Sequence, residues 1–211
     1  MKTVYFVRHG STPPLEVEAY QEHETPLSPR GRKQAETVAK RFGGIDLDII
    51  ISREMARARE TADIIAAVNG KAVERSSAFN EILRPSAIRG KHRSDPDVAR
   101  IFEEITQNFG DADKRHSDEE NFFDLKERAR VAIRFLEARP EERILVVTHG
   151  VFLKMMMTAM AFGDSATPDE FKRIDKFLFP GNTGITKCTF REGRWRLMTW
   201  NDDAHLGEIE D

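Results

Sequence analysis

Two apolar runs in this 211-residue chain end in the same way. VYFV (4–7) stops at Arg8, His9 and Gly10, and ILVV (144–147) stops at Thr148, His149 and Gly150. A short continuous apolar run closed by a turn residue reads as a strand buried on both faces, and such strands belong to sheets covered by helices. A turn needs only the glycine. The histidines therefore need another explanation, and so does the arginine beside the first. If the two strands run parallel, both imidazoles emerge at one edge of the sheet, where open α/β sheets bind their ligands.

The rest of the chain supplies the other layers. Ser28 before Pro29 is a good helix start, Ala35, Val38, Ala39 and Phe42 follow at helical spacing, and Gly43-Gly44 ends the helix. DIIIS (48–52) reads as a second strand, and Ala58, Thr61, Ala62, Ile65 and Val68 as one face of a second helix that stops near Asn69-Gly70. Residues 72–76 suit a third strand, residues 96–109 a helix, and Phe122, Leu125, Ala129, Ala132, Ile133 and Leu136 a long amphipathic one. A helix begins near Gly150, and residues 184–190 and 194–200 form a hairpin turned at Glu192-Gly193. Strands alternating with helices predict an α/β fold: a three-layer, doubly wound, mostly parallel sheet with helices on both faces. The length suits a single domain over 1–211. Within it, the Pro- and charge-rich stretch 84–118 reads as a small, mobile inserted lid, and 202–211 as a polar tail that frays.

Composition narrows the function classes. A chain 39% hydrophobic and 33% charged suits a soluble protein, and no apolar stretch approaches a membrane span. Arg8 interrupts the only apolar run near the start, so no signal peptide is read there. One cysteine, Cys188, allows no internal disulfide, which fits a reducing cytoplasm. With a net charge of −3, bulk charge gives no reason to expect nucleic acid or an anionic membrane as partner. Any anion site must come from a local cluster. Metal binding by His9 and His149 is the competing chemistry. Arg8 argues against it, because a guanidinium repels a metal ion and welcomes an oxyanion. SREMARARETA (52–62) adds Arg53, Arg57 and Arg59 at the opening of the second helix, where anions are also favoured. A solvated helix face accounts for any one of them taken alone. A planar guanidinium is nevertheless what grips phosphate oxygens in pairs.

These pieces resemble the histidine phosphatase superfamily, also called phosphoglycerate mutase-like. RHG (8–10) matches its signature, with the Thr12 hydroxyl two residues on, and ETPLSPRGRKQA (24–35) is similar to the segment entering its first helix. RARETA (57–62) resembles the stretch with its second phosphate arginine, FNE (79–81) the stretch with its acid, THG (148–150) its second histidine, and NTGI (182–185) its late asparagine turn. Two positions depart from the pattern: Ser11 follows RHG where Glu or Gln is common, and Leu15 stands in place of an asparagine. The arginine motif also carries one extra residue between Ser52 and Arg57.

The resemblance implies a metal-independent phosphomonoester hydrolase with no cofactor. His9 would attack phosphorus, held by a backbone carbonyl at its other ring nitrogen. Arg8, Arg57 and His149 would neutralise the phosphoryl oxygens, and Glu81 would give the leaving alkoxide its proton. Asn182 would either bond the phosphate or hold its turn. Arg84 leads a segment (82–94) with Arg89, Lys91, His92 and Arg93 and no carboxylate, suited to a substrate's second acidic group. The expected partner is a phosphorylated metabolite or phosphopeptide. Met155, Met156, Met157 and Met160 read as core packing. Two other readings stand beside hydrolysis. One is a phosphoglycerate mutase, although the Arg-His-Tyr-Gly run that such enzymes carry after the acid is Ile82-Leu83-Arg84-Pro85 here. The other is a non-catalytic module that binds phosphorylated ligands, for which a nucleophile would be superfluous.

Overall fold

The computed structural model describes residues 1–207, so residues 208–211 of the expected tail lie outside the described residues. Six strands form one sheet: β1 (Lys2–Arg8), β2 (Ile49–Ser52), β3 (Val73–Arg75), β4 (Arg143–Thr148), β5 (Ile185–Arg191) and β6 (Arg194–Asp202). Their order is β3-β2-β4-β1-β5-β6. β1 to β4 are mutually parallel, and β5 and β6 are added antiparallel at one side. Between them run α1 (Pro13–Glu16), α2 (Pro29–Phe42), α3 (Ala56–Asn69), α4 (Pro96–Asn108), α5 (Phe122–Ala138), α6 (Gly150–Phe162) and α7 (Pro168–Phe177).

The unbroken apolar runs explain the layers. Side chains alternate along a strand, so a run that is apolar at every position feeds two cores. Val4, Phe6, Ile144 and Val146 pack with α5 and α6, where Met155, Met156 and Met157 are indeed buried. Val7, Ile50, Leu145 and Val147 pack with Val38 and Phe42 of α2 and Ala62 and Ile65 of α3. In the β1–β4 register Arg8 lies opposite Thr148, and in the β2–β4 register Ser52 lies opposite Val147. Three strands therefore release their next residues side by side.

Two expectations need correcting. The stretch 84–118 holds the expected helix, α4, but is better packed than a mobile insert would be: Ile88, Val98, Ile101 and Ile105 form their own apolar cluster with Tyr20 packed against it. Asp95 caps α4, accepting from the Asp97 and Val98 N–H groups, and Tyr20 N–H donates to the Lys91 carbonyl while Gly90 N–H donates to that of Tyr20. The prolines and charges that suggested mobility serve turns, caps and a rim around a small core. The described part of the tail is also docked, because Leu206 is buried and Asp202 pairs with Arg41.

Candidate active site

The RHG loop is shaped by two glycines, one on each side of a close backbone approach. A Cβ on Gly10 would collide with the Gly31 carbonyl, and one on Gly31 would collide with the backbone of Ser11. This contact pins the end of β1 to the first turn of α2. Ser11 N–H donates to Gln34 Oε1 and Gly10 N–H to Thr61 Oγ1. On the other side, Thr183 N–H donates to the Arg8 carbonyl and Asn182 Nδ2 to that of His9, at 2.7 Å. Asn182 thus ties the 181–186 turn to the loop that carries His9.

His9 and His149 do meet at the sheet edge. Their ring centroids are 5.0 Å apart, inclined at 58°, and both side chains are buried. His9 Nδ1 lies 2.8 Å from the Gly10 carbonyl oxygen. A carbonyl can only accept, so Nδ1 carries the proton and Nε2 keeps the lone pair. Both ring nitrogens of His149 and Nε of Arg57 are buried with no hydrogen-bond partner among the described residues. Polar atoms so placed are costly unless something polar joins them. Arg57 is otherwise held by the Glu22 carbonyl, and Arg8 Nη1 donates to the Pro180 carbonyl at 2.6 Å.

The other expected residues flank this cluster. Thr12 is buried, its hydroxyl accepting from Gln21 Nε2. Glu81 Oε1 accepts from Phe152 N–H, at 2.9 Å, and Ile82 N–H, and Oε2 accepts from Val151 N–H. The carboxylate thereby caps α6, whose own N-cap residue His149 makes no side-chain cap. Arg84 is half-buried, its guanidinium stacked over the Phe102 ring at 5.4 Å and within electrostatic reach of Glu81. The rest of the basic segment does not converge: Arg89 pairs with Asp118, and Arg93 stacks on Tyr20. One arginine named only as part of the basic stretch also faces the cluster. Arg53 bonds His23 Nε2 and acts electrostatically on both Glu81 and His149. The sequence does carry its signal, since Arg53 directly follows β2 just as His9 follows β1.

The family description "Histidine phosphatase superfamily (branch 1)" matches residues 4–203. The chain belongs to that superfamily. It is 28% identical over 219 residues to phosphoglycerate mutase-like protein 4 of Arabidopsis thaliana, covering 97% of this chain and 87% of the relative. Among solved structures it resembles Bacillus stearothermophilus YhfR, with a TM-score of 0.81, 26% identity and full coverage of both chains. It also shares its fold with a phosphoserine phosphatase mutant of Entamoeba histolytica in complex with phosphoserine, at a TM-score of 0.80 and 24% identity over 98% of this chain and 100% of that one.

In this member of the superfamily the departures have visible neighbours. Ser11 Oγ and Ser28 Oγ both donate to Glu16 Oε1, so the position after RHG is tied to α1 and to the cap of α2. Leu15 brings no donor, but the Gln21 amide stands beside Thr12. Among the described residues, no three of His, Cys, Asp and Glu gather in a metal-binding group.

The site's charge sets its protonation. Burial, then Arg57 and Arg8, hold His9 well below the usual imidazole range; burial and Arg57 lead the same effect on His149. Arg53 and Arg57 are drawn down to about 10 by burial and remain cations at neutral pH. A consequence is measurable. As pH falls through about 6.5, both imidazoles of the unfolded chain take up protons while the folded ones stay neutral. The unfolded state then binds more protons, so folding stability should drop by about 1.4 kcal/mol per pH unit for each histidine. The loss begins near the unfolded pKa and is complete below the lower folded one. Melting from pH 7.5 to 5 should show a steeper fall for the wild type than for His9→Asn/His149→Asn. Equal slopes would mean the two rings protonate freely in the fold.

Proposed function

We propose that this protein is a metal-independent phosphomonoesterase acting through phosphohistidine at His9 on a small phosphorylated acid. The observation that carries the reading is the bond from His9 Nδ1 to the Gly10 carbonyl, which leaves a neutral Nε2 lone pair beside His149 and the two arginines. Nε2 attacks phosphorus as the ester P–O bond breaks, and Glu81 protonates the departing alkoxide. Water then attacks the phosphohistidine, gives its proton back to Glu81, and inorganic phosphate leaves. Arg8, Arg57 and His149 neutralise the phosphoryl oxygens throughout, with Thr12 and Gln21 as added donors. Such preorganised charge is usually the largest catalytic contribution. Arg84, which like Arg53 lies within electrostatic reach of Glu81, receives a second acidic group of the substrate, and the 84–118 segment serves as a lid. The phosphoserine complex of the Entamoeba enzyme supports a substrate of this kind.

The name of the Arabidopsis relative keeps phosphoryl transfer to a second hydroxyl as the alternative. The small core within residues 84–118 makes this segment a fit cover for the pocket, which suits retransfer as well as hydrolysis. The argument against retransfer lies after Glu81, where Ile82 is buried, Leu83 is 44% exposed, and Arg84 alone offers a polar group. The test supplies 3-phosphoglycerate with a trace of 2,3-bisphosphoglycerate, in chelator, and follows 2-phosphoglycerate and free phosphate together. Phosphate should be the main product from any phosphoglycerate consumed. Isomer formation that far outpaces phosphate release would make the protein a mutase.

A further inference from the structure

Residues 201–206 lie against the turn that holds the RHG loop. His205 Nε2 and Thr183 Oγ1 are hydrogen-bonded at 3.2 Å, and Leu206 is buried beside them in sequence. Thr183 is wholly buried and adopts φ 56°, a left-handed conformation that a β-branched residue rarely takes. Asn201, also left-handed at φ 47°, accepts from Gly181 N–H at Oδ1 and donates its own N–H to Thr186 Oγ1. Strained backbone of this kind persists only where its surroundings over-determine it. Here those surroundings are the 181–186 turn and the 201–206 segment, each bonded to the other.

We propose that residues 201–206 brace the nucleophile, with His205 and Thr183 as positioning residues; this rests on the reading of His9 as nucleophile. The link is short. Thr183 N–H holds the Arg8 carbonyl at 2.9 Å, and Asn182 Nδ2 holds the His9 carbonyl at 2.7 Å. That carbonyl shares its peptide with Gly10 N–H, which is fixed from the far side by Thr61 Oγ1 at 3.2 Å. Gly10 in turn presents the carbonyl that orients the His9 ring. The turn therefore sets the pose of one peptide, and that peptide sets the tautomer and direction of the imidazole. Loosening Thr183 lets the peptides of Arg8 and His9 tilt, while Arg57 and His149 stay on α3 and at the end of β4.

The experiment compares His205→Ala, His205→Gln, Thr183→Gly and Thr183→Ser. Glycine at 183 relieves the left-handed backbone while removing the hydroxyl, so a purely structural role predicts a neutral or stabilised protein with normal chemistry. The brace predicts that Thr183→Gly and His205→Ala slow phosphorylation of His9 by nitrophenyl phosphate in single turnover by about tenfold, because small misplacements of reacting atoms are costly. KM should stay within about twofold, as expected when only the chemical step is impaired. Thr183→Ser and His205→Gln should recover most of the rate. The His9 Nδ1–H resonance, sharp in the wild type, should broaden in the two slow variants. Wild-type rates in either slow variant, or a His205→Ala loss that glutamine does not restore, would overturn the brace. His9→Ala separates the two ideas: retained turnover there sinks the nucleophile reading, while the His9 Nδ1–H resonance of the Thr183 and His205 variants still reports on the brace.

Discussion

His9→Ala should lower kcat by on the order of 10⁴-fold or more, the scale seen when a covalent nucleophile is removed from a working catalytic unit. Neutral imidazole is a competent nucleophile near pH 7, and His9 is kept neutral by burial and by Arg57 and Arg8. The cations that hold its proton off are the same groups proposed to receive the phosphoryl oxygens, so on this reading removing the ring leaves substrate binding largely intact. KM should therefore move little while kcat collapses. The wild type, quenched after brief exposure to a labelled phosphomonoester, should carry acid-labile, base-stable phosphate at residue 9, and the variant should carry none. The variant must also be shown to fold, since the ring is only 3% exposed and its loss leaves a cavity. Near-normal turnover in a folded His9→Ala protein would refute the mechanism.

The parts of the site that lie at strand ends were legible in the sequence. VYFVRHG and ILVVTHG gave the strands, their parallel pairing and the meeting of His9 with His149, because an apolar run and a parallel register leave little freedom. The carbonyl at the other ring nitrogen of His9 was expected, and it is the one next door, that of Gly10. Less could be read where a residue's role depends on distant backbone. Asn182 offers an amide that suits phosphate equally well, and only the approach of the 181–186 turn to β1 turns it toward the His9 carbonyl. In the 84–118 stretch the helix was legible but its small core was not, for a related reason. Ile88, Val98, Ile101 and Ile105 are too few to announce a core, and Tyr20, which completes it, comes from far earlier in the chain. Arg53 was obscured by its crowded basic neighbourhood, although its place after β2 obeys the same strand-end rule.

Glu81 carries the second large effect, and its structural duty must be separated from its chemical one. Three N–H groups, those of Ile82, Val151 and Phe152, donate to its carboxylate, so it caps α6 next to His149. Alanine there would remove a cap, worth roughly 0.5–2 kcal/mol, together with the acid. Glutamine keeps an oxygen for the Phe152 and Ile82 donors and cannot give up a proton in the same way. Glu81→Gln should therefore melt closer to the wild type than Glu81→Ala does. Its kcat on an alkyl phosphate should nonetheless fall by about 10²–10⁴-fold, the usual contribution of a positioned general acid. Nitrophenolate needs no proton to leave, so hydrolysis of nitrophenyl phosphate should fall by much less. The carboxylate also offsets the charge of Arg53, Arg57 and Arg84, and a loss of that kind alone would weaken both substrates alike. The ratio of the two losses is thus the quantity to measure. A ratio near one would reduce Glu81 to a helix cap and a counter-charge, and the proton for the leaving group would have to come from elsewhere in the site.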